Sequence, residues 1–397
     1  MSEFQASNFK KENGGSPNLV GKTDLTSPYF FVPPSGDTAS RPTNCAPGTL
    51  RFNTDIGSLE VYRGDTIGWE QIQRREGQYL GGGVTPNLGS NSGTGTRGFI
   101  MGGNGQPDST REEIEFITIS TLGNSQDFGQ LTQGSQSAFD GLGNRTNAFY
   151  AGGSQIPAGL NVIQKITVAS TGNAVDYGDI TAGVRASGAG VSNTTRAILA
   201  GGNLGSPATN VIEYFSMTQS GNSINFGDMQ SAEEGVFGAV NSSTRGLISG
   251  VGSYGNNTIE FITMSTTGDS TDFGDLIQGV GGGAGGSNAT RGIVAGGLAP
   301  SPVSQTNIIQ FVTIATLGNA VDFGDLTQKR SGMNAMSSPT RMVIAGGGIF
   351  PTFYNVMDKI EIATTGNAVD FGDIAGSGST NGAIFNSNAV SNGHGGL

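Results

Sequence analysis

Six copies of one acidic triplet are the first candidate for chemistry in this 397-residue chain: Asp127-Phe128-Gly129, Asp176-Tyr177-Gly178, Asn225-Phe226-Gly227, Asp272-Phe273-Gly274, Asp322-Phe323-Gly324 and Asp370-Phe371-Gly372. In protein kinases one Asp of such a triplet holds magnesium over ATP, with a glycine-rich loop, a strand lysine and a catalytic loop around it. None of those accompanies it here, and the copies recur at steps of 49, 49, 47, 50 and 48 residues. That spacing predicts a structural role, a strand whose aromatic ring packs between neighbouring units. Histidine chemistry would rest on His394 alone, in a Gly-rich tail, too little for a nucleophilic triad or a zinc site. Acids that break the repeat, such as Asp140, Glu233 and Glu234, could in principle serve glycoside hydrolysis but read as solvated loop residues. No D-x-D-x-D-G calcium loop occurs. Glycine clusters such as Gly281-Gly282-Gly283 lack the strand-to-helix setting of a phosphate cradle. Neither a metal nor a cofactor is expected.

The triplets need elements to hold them, and the sequence supplies four strand candidates per unit. In the first unit these are 98–102, 114–120, 126–131 and 137–141. The second and third are joined by a hairpin, Thr121-Leu122-Gly123-Asn124, which returns as Thr171-Gly172-Asn173, Ser220-Gly221-Asn222, Thr267-Gly268-Asp269, Leu317-Gly318-Asn319 and Thr365-Gly366-Asn367. Gly-Asn and Gly-Asp provide the positive φ that tight hairpins require. Four strands in about 50 residues, six times over, predict a six-bladed β-propeller of four-stranded blades. The first strand of each unit ends in small residues, such as Gly102-Gly103 and Gly201-Gly202, which suits an innermost position. A parallel β-helix is the competing repeat fold, but the hairpins demand antiparallel pairing.

Composition sets limits on partners. The 68 glycines show no G-X-Y period, so this is no collagen. Residues 1–75 carry eight Lys/Arg and eight Asp/Glu, leaving 12 against 23 in residues 76–397, so the net charge of -11 sits in the repeats. An acidic surface of this kind repels phosphate backbones and anionic membranes; neither nucleic-acid binding nor membrane insertion is expected. Cys45 is the only cysteine, which points to folding in a reducing cytoplasm, and the start MSEFQASNFKKENGG has no signal-peptide core. Residues 1–27 read as an extended polar arm. Residues 28–75 read as a small β-meander with strands at 49–53, 58–63 and 68–72, too small for a robust core, hence expected to pack on a neighbour or self-associate. A Gly-rich connector, 76–95, leads to the repeats at 96–397.

Two further patterns carry expectations. Before the first strand of the units stand Arg97, Asn147, Arg196, Arg245, Arg291 and Arg341; after the triplets stand Gln130, Asp179, Asp228, Asp275, Asp325 and Asp373. Gln130 and Asn147 replace charge together. The expectation is that each acid faces the arginine of the next blade, giving the pairs Asp179–Arg196, Asp228–Arg245, Asp275–Arg291, Asp325–Arg341 and, closing the ring, Asp373–Arg97. The loops after the first strands are the variable parts, and one rim of variable loops on a rigid scaffold is a common recognition surface. Ile349, Phe350, Phe353 and Tyr354, with Tyr254 in an earlier loop, are the candidate partner contacts.

The units, with Thr-Arg-Gly before a hydrophobic strand and Gly-Gly, the Thr-Thr-Gly-Asn hairpin and Asp-Phe-Gly-Asp, resemble the kelch-like propeller repeats of tailed-phage virion proteins, notably those of marine cyanophages. The likeness covers about residues 91–395. True kelch repeats carry a characteristic Tyr and Trp in each blade, and here the only tryptophan, Trp69, lies outside the repeats, so the signature is partly present. Independently, Arg41-Pro42, Gly48-Thr49-Leu50-Arg51-Phe52-Asn53-Thr54-Asp55, Leu59-Glu60-Val61-Tyr62 and Gly68-Trp69-Glu70 look like a short β-module of phage tail-fibre proteins. Together the two resemblances imply a non-enzymatic virion component made in the host cytoplasm. It would bind other virion proteins through residues 1–75 and present the propeller to a host surface glycan or protein, or decorate the particle. A propeller enzyme acting on host glycans is the alternative. Kelch-like copper oxidases, however, use histidine and cysteine-linked tyrosine ligands, and sialidase-like propellers an arginine cluster.

Overall fold

The computed structural model describes residues 34–43, 45–55, 58–65, 68–71, 96–105, 110–155, 158–203, 208–233, 238–250, 255–300, 303–376 and 382–397. It is all-β, with no helix among the described residues. The chain divides into two compact units, Met1–Arg74 and Arg75–Leu397.

The smaller unit holds a four-stranded sheet of Ser35–Gly36, Leu50–Asn53, Ser58–Tyr62 and Trp69–Gln71. The first strand runs parallel to the second and the others are antiparallel. Its interior is polar. Glu60, fully buried, accepts from Arg41 and from Asn53 Nδ2 at 2.8 Å, while the Arg51 guanidinium donates to Asp37 O at 2.8 Å and lies 5.8 Å over the Trp69 ring.

The larger unit is built from six similar sheets, each ending in a triplet strand. The third is Ala189–Ser192, Arg196–Ala200, Thr209–Ser216 and Ile224–Glu233, in that order; the fourth, fifth and sixth repeat the pattern and end at Thr271–Asp275, Val321–Asp325 and Val369–Asp373. The second has three regular strands, Asn147–Ala151, Val162–Thr167 and Val175–Asp179. The run before them touches Asn147–Ala151 only at isolated bridges, Phe139 to Ala151 and Gly143 to Ala148. One extra residue lies between Ser137 and Gly143 compared with Ser187 to Ser192, which breaks the ladder.

This pairing shifts the sequence-derived frame by one strand. The run 137–141, assigned above as the last strand of the first unit, belongs beside Asn147–Ala151 of the second sheet. The strand expected to be innermost is therefore second in each sheet, preceded by an inner strand that the chain places earlier. The first sheet takes its inner strand from the far end of the sequence: Asn388–Ser391 pairs antiparallel with Arg97–Met101, Val390 opposite Phe99. Small residues are needed on these inner strands because a Cβ on Gly190 or Gly285 would strike the backbone of the preceding inner strand, at Asp140 and Gly238–Ala239.

Every sheet carries a bulge where its third strand meets the triplet, as between Ile212 and Glu213 opposite Gly227. The triplet glycines have φ between +143° and +159°, and a Cβ on each would lie within 3 Å of the hairpin carbonyl of the next sheet: Gly129 against Gly172, Gly178 against Gly221, and round to Gly372 against Gly123. The triplet aromatics are buried in the same seams. Phe128, for example, meets Phe99 edge-on at 5.1 Å and packs with Ala148 and Ile166 of the second sheet.

One pattern of hydrogen bonds links all six sheets. Gly172 N donates to Phe128 O and Ala174 N to Gln130 O; the same two bonds recur from each hairpin to the preceding triplet strand, and from the first hairpin to the sixth sheet, Gly123 N to Phe371 O at 3.1 Å and Ser125 N to Asp373 O at 3.0 Å. The hairpin Asn or Asp caps the residue after the triplet, as Asn222 Oδ1 does for Asp179 N at 3.0 Å and Asn124 Oδ1 for Asp373 N at 3.0 Å.

After Ser391 the chain turns onto the ends of the inner strands. His394 is buried, with Nε2 2.9 Å from Gly143 O, and Gly396 N donates to Nδ1 at 3.2 Å. These contacts fix the neutral tautomer with its proton on Nε2. Burial lowers its pKa to about 4.

Candidate interaction surface

Antiparallel order puts the inner turns (such as 193–195) and the triplet hairpins at one end of the larger unit, and the variable loops at the other. Residue 96, which leads into the second strand of the first sheet, lies at the turn end.

The variable loop of the sixth sheet is described throughout. Arg341–Ile349 folds back through a short hairpin, Gly348 opposite Phe353 and Ile349 opposite Thr352. At its tip Phe350 is 77% exposed and Ile349 41%. Its base is fixed. Phe353 is buried and stacks on Phe385 at 5.1 Å and 14°, and Tyr354 N donates to Gly347 O at 2.8 Å. Of the five candidate contacts, then, Ile349 and Phe350 reach solvent and Tyr354 is half-buried. Phe353, expected at the surface, is instead a support beneath the tip, because its ring fills the gap beside Phe385. Tyr254 lies outside the described residues.

The expected acid–arginine pairs are not formed. Arg196 donates to Ser265 O at 2.9 Å, Arg245 to Ala315 O at 3.0 Å, Arg291 to Ile362 O at 2.9 Å, Arg341 to Ile119 O at 2.9 Å and Arg97 to Val168 O at 2.7 Å. Each arginine points forward, to the sheet after its own. The acid assigned to it sits on the sheet before, so the two lie on opposite faces of one sheet: Asp179, Asp228, Asp275, Asp325 and Asp373 cannot meet Arg196, Arg245, Arg291, Arg341 and Arg97. What the seam uses at the acid positions is backbone, and Gln130 serves as well as Asp, with its N–H 3.1 Å from Asn173 Oδ1.

The guanidinium groups also lie over a ring of their own sheet, Arg97 over Phe116 at 4.8 Å, Arg196 over Tyr214 at 4.7 Å, Arg245 over Phe261 at 4.8 Å and Arg291 over Phe311 at 4.7 Å. This explains Asn147. The ring position is a lysine in two sheets, Lys165 in the second and Lys359 in the sixth. Arg341 is kept beside Lys359 because Glu361, opposite Arg341, pairs with both at 3.0 and 3.5 Å, whereas the residue opposite position 147 is Thr167 and an arginine there would face an unneutralised like charge. The donor lost with the arginine is replaced by Tyr177, whose hydroxyl donates to Ser216 O of the third sheet at 2.9 Å.

A second polar series was not read from the sequence. Glu115, Gln164, Glu213, Glu260, Gln310 and Asp358 occupy one position of the third strands and are all nearly or fully buried. Each accepts from the segment after the preceding triplet: Gln164 from Thr132, Glu213 from Thr181, Glu260 from Gln230, Gln310 from Ile277, Asp358 from Thr327 and Glu115 from Gly376 of the sixth sheet. Where the residue is Glu213 or Asp358, a buried arginine neutralises it, Arg185 at 2.5 Å and Arg330 at 3.1 Å. Glu115 has Arg111 at 3.7 Å, and its pKa is raised by burial. The two glutamine positions need no cation. The only sequence signal was an acid or amide following Ile or Met at the same place in every unit.

Asp140 is half-buried, its carboxylate accepts from Ala389 N at 3.0 Å, and desolvation raises its pKa well above the usual carboxylate range. Glu234 is outside the described residues. Among the described residues no three His, Cys, Asp or Glu side chains gather as for a metal. No model of a protein family matches the chain, and no characterised protein matches it.

Proposed function

We propose that the larger unit is a six-bladed β-propeller serving as a display scaffold in a tailed-phage particle, a structural protein and not an enzyme. Residues 1–75 attach it to other virion proteins, and the variable-loop end meets a host surface glycan or protein or a neighbouring particle component. The propeller reading draws its support from the hairpin-to-triplet hydrogen bonds, repeated between successive sheets and returning from the sixth sheet to the first.

The observation that carries the functional reading is the contrast between frame and loops. Seam bonds, triplets and buried acceptors are invariant in form across the six sheets, while the loops at one end differ in length and present Phe350 on a pinned base. Exposed aromatic residues on rigid supports are effective anchors at interfaces.

The test is labelling of intact particles with antibody against residues 96–397, together with a chain lacking residues 1–75. Surface labelling, with loss of incorporation in the truncated chain, is expected. Particles without label, or normal incorporation of the truncated chain, would refute the reading, and turnover of a glycan by the purified protein would replace it.

A further inference from the structure

The inner runs of the larger unit hydrogen-bond to one another in a closed series. Gly332 N donates to Gly282 O, Asn386 N to Gly332 O and Ser137 N to Asn386 O, each at 2.8 Å, and Ser187 N donates to Ser137 O at 2.7 Å. Asn241 joins the remaining members: its side chain donates to Ser192 O and its N–H to Ser287 Oγ. Among the described residues of these runs one side chain is charged. It is Asp140, in the run 137–143 that carries the extra residue. A carboxylate withdrawn from water needs a cation or several donors. Glu213 and Asp358 have buried arginines, and Glu260 has the Ser270 hydroxyl. Asp140 has one donor, Ala389 N to Oδ1 at 3.0 Å, and no lysine or arginine beside it among the described residues. A second unsatisfied acceptor lies in the same gap. Asn388, the residue before Ala389, is 0% exposed and gives Nδ2 to the carbonyl of Phe139, the residue before Asp140, while its Oδ1 has no hydrogen-bond partner. Bonds at neighbouring residues thus hold the Asn388 amide and the Asp140 carboxylate together between Asn388–Ser391 and the run 137–143. Both offer oxygen lone pairs, and a positive group between them would satisfy both.

We infer that the Asp140 carboxylate and Asn388 Oδ1 hold an alkali-metal cation, sodium or potassium. The donor atoms select the class: a carboxylate and an amide oxygen, with no sulfur or imidazole, suit a hard cation. Charge selects the valence. One carboxylate is neutralised by a single positive charge, whereas a divalent ion would leave net charge in a site that already desolvates the acid. Asp140 is half-buried, so the gap is not closed over. The excess of acids in residues 76–397 raises the local concentration of cations. The rival occupant is a proton on Asp140, donated to Asn388 Oδ1. This inference does not depend on the particle role proposed above.

Urea unfolding of the full-length chain at neutral pH tests it, in sodium chloride, potassium chloride and N-methylglucamine chloride at equal ionic strength, for the wild type and Asp140→Asn. In the variant the new amide can accept from Ala389 N and donate to Asn388 Oδ1, so the gap is satisfied without an ion. The wild type should be more stable in at least one alkali salt than in N-methylglucamine, its folding constant rising about tenfold for each tenfold increase in that ion above saturation. The variant should show no such rise. Equal wild-type stability in the three salts would overturn the inference in favour of the proton. The same salt dependence in wild type and variant would overturn it as a general salt effect, and stabilisation by added calcium but by neither alkali ion would overturn the charge argument on which it stands. The carboxyl-carbon resonance of Asp140 in labelled wild-type chain gives a reading that needs no stable variant: it should move between N-methylglucamine and the stabilising alkali salt, and a fixed position would overturn the inference. Particle incorporation is not read in these experiments, so their failure leaves the attachment proposal untouched.

Discussion

Acidification from pH 7 to pH 4 should loosen the larger unit, and the one histidine should account for a measurable part of the loss. His394 is neutral in the fold because Gly396 N–H points at Nδ1 while Nε2 donates to Gly143 O. A second proton would set one donor against another. In the unfolded chain the ring takes that proton near pH 6.5, but in the fold only at about 4. The unfolded state therefore binds more protons throughout this interval, and stability falls with pH: it is fully present above 6.5, declines as pH drops, and levels off below 4. The linkage relation gives a loss of about 2 kcal/mol by pH 5 and about 3 kcal/mol by pH 4. Because carboxylates elsewhere also titrate, the assay compares urea unfolding of the wild-type chain with His394→Gln, whose amide can still donate to Gly143 O and does not titrate. The difference between the two stability curves should shrink by those amounts as pH falls. A single imidazole signal in the proton spectrum should titrate near 4. A midpoint near 6.5, or parallel stability curves, would refute the buried, neutral assignment.

The seams supply the other predictions. Arg185→Met leaves Glu213 buried without its cation and should cost about 3–5 kcal/mol in urea unfolding. Adding Glu213→Gln should recover most of that, since Gln164 and Gln310 hold the same position with no arginine. Gly227→Ala drives a Cβ into the Gly268 carbonyl at φ +159° and should cost more than about 2 kcal/mol, whereas Gly221→Ala, with open space around it at φ +154°, should cost only about 1; comparison of the two midpoints checks this. Tyr177→Phe removes the hydroxyl bonded to Ser216 O and should cost about 1 kcal/mol, seen as a lower urea midpoint with unchanged slope.

The period of the triplets, the hairpins and the all-β class were legible because they follow from local chemistry: positive φ in a tight turn, β-branched runs, recurrence. The strand frame was not, since a repeat read along the chain has no marked starting point. The pairing of each inner strand with the strand that follows it, and of Asn388–Ser391 with Arg97–Met101, shows that each sheet begins one strand earlier. The candidate surface was half legible. Aromatic content located the 349–354 loop, but which ring is exposed depends on Phe385, a residue more than 30 positions away that no local pattern links to Phe353.

The charge series shows why co-replacement within one chain misled. Gln130 and Asn147 change together, yet each has its own cause. Position 130 contributes backbone to the seam, so its side chain is free to vary, and Asn147 answers to Lys165 across the strands. The compensating change stood in plain view as the one tyrosine among six triplet aromatics. Tyr177 restores, from two strands away in the same sheet, the donor that Asn147 takes away. In a repeat, the informative partner of an exception is the residue that replaces its hydrogen bond, and finding it requires knowing which way the side chain faces. Arginines that reach forward, while the acids expected to meet them sit on the sheet before, make sequence proximity a poor guide here. The same reasoning accounts for Glu213 with Arg185 and Gln310 with no cation: buried acceptors are constant in all six sheets, and positive charge accompanies them where the acceptor is Glu115, Glu213 or Asp358. Glu260, served by the Ser270 hydroxyl, is the exception that makes the acceptor's satisfaction, and not charge pairing as such, the property the fold maintains.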